Sequence, residues 1–72
     1  MRKFTKGVVG KTISWSEVRV GERTTMVAQR TLPDKNWYVY WLSPGKARTL
    51  SFHKTRAAAE RFITQYLKAG GY

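Results

Sequence analysis

The groups in this sequence that could do chemistry are mostly cations. Fourteen Lys and Arg face four Asp and Glu, a formal charge of +10 on 72 residues. The acids, Glu17, Glu22, Asp34 and Glu60, are scattered, with no pair at a spacing suited to acid–base work. His53 stands alone just ahead of a helical pattern, with no Ser or Cys partner at an elbow motif. It reads as a surface or capping residue. One histidine and no cysteine leave no ligand set for zinc. Ser43-Pro44-Gly45-Lys46 lacks the first glycine of a phosphate-binding G-x-x-x-x-G-K loop. The expectation is a protein that is not an enzyme and that uses no cofactor and no metal.

What remains is binding chemistry. A positive excess of this size serves solubility, but solubility does not dictate its sign. A polyanionic partner does. Nucleic acid leads that class, an acidic protein surface follows, and an anionic membrane comes third. The candidate contacts are Arg2, Lys3, Lys6 and Lys11 near the amino terminus and Arg23, Arg30, Lys35, Lys46 and Arg48 further on. Tyr38 and Tyr40 join them as rings that can stack on bases or pack on sugars.

These residues need elements to hold them. The length implies one domain, and a core that must stand on packing, because disulfides are impossible. Residues 1–11 read as a basic, flexible arm, and 12–70 as a single small domain with a sheet over 12–52 and a helix over 55–69. Within 12–20, Ile13 and Trp15 alternate on one parity and Val18 and Val20 on the other. This predicts an extended segment broken near Ser16, where a turn with Glu17 in a capping box is the alternative. The run 23–31 is rich in Thr and Val and reads as a strand, with Thr25, Val27 and Gln29 on one face and Met26, Ala28 and Arg30 on the other. Pro33-Asp34-Lys35-Asn36 and Ser43-Pro44-Gly45-Lys46 are turn chemistry. Residues 37–42 form a central strand. Residues 48–52 form a short one, with Leu50 and Phe52 on one side.

The last element is amphipathic. Thr55 is a good N-cap, and Ala59, Phe62, Ile63, Tyr66 and Leu67 recur at helical spacing as one apolar stripe. Lys68 suits the carboxyl end of the helix dipole, and Gly70 is a natural C′ residue. The fold class is therefore α+β: an antiparallel meander of three to four strands packed against one C-terminal helix.

Strand 37–42 carries large rings on both faces, whereas one helix covers one face. Trp37, Val39 and Trp41 are expected under the helix, because Val39 has no polar handle and Tyr can keep its hydroxyl wet. Tyr38, Tyr40 and Leu42 then face outward, either to be covered by Phe4, Ile13 and Trp15 or to bind a partner. In the second case Arg23, Arg30, Lys35, Lys46 and Arg48 are expected to flank the tyrosines.

Trp37 in a middle strand, Leu50, Phe52, a helix opened by Thr55, and Ala58, Ala59 and Phe62 along it carry a resemblance to the AP2/integrase-type DNA-binding domains. The likeness spans about residues 23–67. It implies a three-stranded sheet on a C-terminal helix, with the sheet presented to DNA. Two positions depart from the pattern: Thr55 follows Phe52 by three rather than two, and Ser51 stands where a glycine is usual. In size, charge and lack of cysteine the chain is also similar to small phage-encoded transcription regulators, some of which bind host RNA polymerase. The expected function is nucleic-acid binding, DNA more than RNA, in transcription regulation. The alternative is a regulator that binds a protein such as RNA polymerase. No apolar run approaches the ~18 residues needed to span a bilayer, and because the helix's polar face is short and its apolar stripe is needed for the core, no membrane-surface partner is expected. The basic amino terminus lacks the apolar run of a secretory signal. The expected location is cytoplasmic or otherwise intracellular.

Overall fold

The computed structural model describes residues 3–72. Five strands, β1 (Thr5–Val9), β2 (Ile13–Arg19), β3 (Thr25–Thr31), β4 (Trp37–Ser43) and β5 (Lys46–His53), precede one helix, α1 (Arg56–Ala69). The strands form one antiparallel sheet in chain order, each joined to the next by a short turn. The α+β meander is as the sequence implies, with one strand beyond the three to four expected. The extra strand comes from the segment read as an arm: Thr5–Val9 pairs along β2 from Thr5↔Glu17 to Val9↔Ile13. Arg2 lies outside the described residues.

Nor is β2 broken near Ser16. It pairs continuously with both neighbours, Ser16 lying opposite Lys6 on one side and Ala28 on the other. The switch in parity has a simpler cause. Trp15 belongs to the face away from the helix, whereas Ser16 and Val18 lie buried beneath it. Trp15 lays its indole across Gly7 of β1, where a Cβ would collide with the ring. A glycine in the edge strand therefore makes room for a tryptophan in the next.

The core is built from the helix-facing rows. Val18, Met26, Ala28, Trp37 and Val39 meet Ala59, Ile63 and Leu67, which repeat every four residues along α1. Trp37 and Val39 are buried as the alternation implies, and Trp41 sits half-buried with its ring 6.0 Å from Tyr66. Fully burying a side chain such as Val39, Met26 or Ile63 contributes about 1.5–3 kcal/mol. Thr55 caps the helix by accepting from the N–H of Ala58 at 3.1 Å. At the other end the left-handed residue is Gly71, φ 79, rather than Gly70. Gly71 N–H donates to Lys68 O and Tyr72 N–H to Leu67 O, the pair of bonds that ends a helix at a positive-φ glycine.

One irregularity redirects a functional side chain. Between Val39↔Ser51 and Tyr40↔Thr49 the pairing skips Leu50, a β-bulge. Leu50 and Phe52 therefore do not share a side. Leu50 packs against the core, while Phe52 emerges on the opposite face, 64% exposed.

Candidate nucleic-acid interface

No strand or helix among the described residues folds across the face away from α1, because β1 extends the sheet sideways; Val27, on the central strand of this face, is nevertheless buried. Toward the β5 edge of the face lie three rings, Phe52 exposed and Tyr38 and Tyr40 half-buried. Tyr38 is 6.5 Å from Tyr40 along β4 and 6.1 Å from Phe52 across to β5, with interplanar angles of 33° and 42°. In the same row as Tyr38 and Phe52 come Gln29 and Trp15. Tilted rings of this kind offer π-faces to flat ligands.

Tyr38 is held in place by the loop before it. Its hydroxyl donates to Asp34 Oδ2 at 2.7 Å, and the backbone N–H of Asn36 donates to Asp34 Oδ1 at 2.9 Å. The Asn36 bond, then the Tyr38 bond, lowers the Asp34 carboxyl below its ordinary range. The same carboxylate, as acceptor, raises the Tyr38 phenol above its own. The result is a neutral tyrosine anchored at its tip, with its ring left to the surface.

The face carries little charge. Among the described strand residues, the register puts only Glu17 and Arg19 on it as charged side chains. Arg19 is committed to the β2–β3 loop, donating from Nε to Gly21 O at 3.1 Å and from Nη2 to Glu22 O at 2.6 Å.

This corrects the expectation that basic residues flank the tyrosines on the sheet. Arg30 pairs with Ser14 and turns to the helix side, its Cζ 5.2 Å from the centre of the Trp37 ring. Arg48 lies opposite Trp41 and so also belongs to the helix side. Lys6 lies opposite buried Ser16 and reaches Glu60 of α1 at 3.7 Å. That distance is long for a hydrogen bond but close enough to offset the charge of Glu60 Oε2, which is hidden from solvent.

The remaining candidates sit at the ends of the strands. Lys11 and Lys35 are exposed in the β1–β2 and β3–β4 turns at one end. Arg23 is in the β2–β3 loop at the other, where Lys46, opening β5 opposite Ser43, belongs by register to the helix side like Arg48. Lys3 is exposed just ahead of β1. The structure thus brings Tyr38 and Tyr40 together and brackets them with loop cations.

Two ring-bearing positions and one cationic pair escaped the sequence reading. Phe52 and Trp15 complete the aromatic row. Lys54 and Arg56 join Arg30 beside Trp37. The alternation of β3 already grouped Arg30 with Met26 and Ala28, which was the available signal. The bulge that exposes Phe52 left no such trace.

No helix among the described residues is long and apolar enough to cross a membrane. Compared with known proteins, the chain matches no family model, no curated protein and no solved structure.

Proposed function

We propose that this chain is a nucleic-acid-binding module that takes unpaired bases across its open sheet face, with Tyr38, Tyr40 and Phe52 as the stacking platform. The observation that carries it is the three-ring cluster, with Phe52 exposed and Tyr38 and Tyr40 half-buried, toward the β5 edge of an almost uncharged face, on a chain of net charge +10. Every base has a π-face, so stacking on aromatic side chains is strong and tolerant of sequence. Lys11, Lys35 and Arg23 bracket the face where a backbone would enter and leave it. Docking a sheet in a duplex groove draws on side chains that reach base edges and phosphates from the face itself. Arg30 and Arg48, the residues suited to that task, point to the helix side. This favours single strands over duplex DNA. The resemblance to AP2/integrase-type domains supports the choice of the sheet as the binding surface. Control of transcription inside the cell is the setting this reading implies.

Fluorescence anisotropy with labelled single-stranded and duplex oligonucleotides of equal length tests it. Single strands should bind more tightly, and log K should fall with log salt at a slope of about −2 if the three bracketing cations each meet a phosphate. Tighter duplex binding, or none to any nucleic acid at low salt, would overturn the proposal. In the second case a protein partner such as RNA polymerase becomes the better reading of the exposed rings.

A further inference from the structure

On the helix side of the sheet, Arg30, Trp37, Lys54, Thr55 and Arg56 line an open pocket of about 420 Å³ at the amino end of α1. We infer that this pocket is a phosphate-binding site. Two guanidiniums meet on one indole: Arg30 Cζ is 5.2 Å and Arg56 Cζ 4.6 Å from the centre of the Trp37 ring. Lys54 brings a third positive charge to the same wall. Convergent like charges repel, and their convergence needs a counter-charge.

The protein does not provide one. All four of its acids are placed elsewhere. Asp34 holds Tyr38 and Asn36, Glu60 faces Lys6, Glu17 lies on the open sheet face opposite Val27, and Glu22 belongs to the β2–β3 loop. The Nε atoms of both Arg30 and Arg56 are hidden from solvent and have no hydrogen-bond partner.

The helix end adds to the field. The first turn of α1 contains no acidic residue, although the positive end of a helix dipole favours one. Lys54 and Arg56 stand there instead, the wrong sign for stability and the right sign for holding an anion. Ala59 N–H makes the first intrahelical bond to Thr55 O, and Thr55 Oγ1 takes the N–H of Ala58. The N–H groups of Arg56 and Ala57 precede both bonds.

The chemistry selects the ligand class. The Trp37 ring is already covered by guanidinium, so it offers no stacking surface to a base. Forked guanidinium donors and an ammonium match a tetrahedral oxyanion carrying several acceptor oxygens, which is a phosphate. A terminal phosphate and a backbone phosphodiester share that chemistry. The inference does not rest on the stacking platform, which occupies the opposite face of the sheet.

The test is a titration of the whole ¹⁵N-labelled chain at low ionic strength, following the Arg side-chain Nε–H signals. Inorganic phosphate should give saturable shifts confined to Arg30, Arg56 and the amides of Arg56 and Ala57. Arg56→Gln and Arg30→Gln should each weaken binding roughly 10-fold, the size of a lost charge-assisted hydrogen bond. Lys54→Gln, at an exposed loop position, serves if either arginine variant fails to fold, and it should also weaken binding measurably. A 5′-phosphorylated oligonucleotide that shifts these signals more than its 5′-hydroxyl twin identifies a terminal phosphate, and equal shifts identify the diester. Tyr38→Ala should leave the phosphate titration unchanged, so loss of stacking and loss of this site are separable. Linear shifts spread over all cations, or no response at Arg30 and Arg56, would overturn the inference.

Discussion

The two faces of this sheet are both rich in large apolar side chains, yet one is sealed and the other is open. On the helix side Trp37, Val39 and Met26 pack against Ile63 and leave almost no surface to water. On the other side Tyr38 meets both Tyr40 and Phe52, with Phe52 mostly exposed and the two tyrosines half-buried. Alternation along β4 separates the two sets residue by residue. The contrast shows that bulk alone does not mark a core. The distinguishing features are a partner surface, which α1 gives to one face only, and polar tips, which the tyrosines carry and Val39 lacks.

The comparison can be broken by truncating each face in turn. Ile63→Ala should cost about 2–5 kcal/mol in denaturant unfolding, because it opens a cavity at the centre of the helix contact. Phe52→Ser should cost less than ~1 kcal/mol, since its ring is mostly in water. Similar losses from both would mean that the outer face is a second core rather than a surface.

Next in size is the edge. Gly7→Val should destabilise by about 1–3 kcal/mol, because its side chain must displace the Trp15 indole. The variant should also raise amide exchange in β1 above that in β3 and β4. Loss confined to β1 sharpens the account, in which the edge strand depends on its glycine while the helix face holds the rest.

The smallest effect concerns pH. The Asp34 carboxyl is lowered in the fold, so its contribution is present above the ordinary carboxylate range and disappears as pH falls through its depressed value. The Tyr38 phenol is raised, so its contribution is present below the ordinary phenol range and is lost as pH rises through the elevated value. Spectrophotometric titration should find Tyr38 ionising above the ordinary phenol range, and Asp34→Asn should bring it back toward the ordinary value. Helix-side signals should not follow either transition.

Much of the fold was legible in the chain. Thr55, the Ala57–Ala59 run and the four-residue stripe announced α1. The Pro44-Gly45 turn, with Gly45 at φ 72, announced the β4–β5 hairpin. Val39 settled which side of β4 faces the helix. β1 was hidden because Thr5–Val9 has no pattern of its own, and its extended state is imposed by pairing with β2. The continuity of β2 was obscured because it carries apolar residues on both faces, which local alternation cannot tell from a break. In the candidate site the two tyrosines were legible. Phe52 was not, since its orientation depends on one unpaired residue, Leu50. The cations were placed by likeness of charge rather than by parity, and parity is what turned Arg30 away.

The central claim is that the open face binds unpaired bases by stacking. The most direct test follows the aromatic ring signals of Tyr38, Tyr40 and Phe52 as a single-stranded oligonucleotide is added. The account predicts saturable upfield ring-current shifts at all three, with Tyr38→Ala weakening binding by about 1–3 kcal/mol while leaving the fold intact. Saturating binding that leaves these three rings unmoved would contradict it.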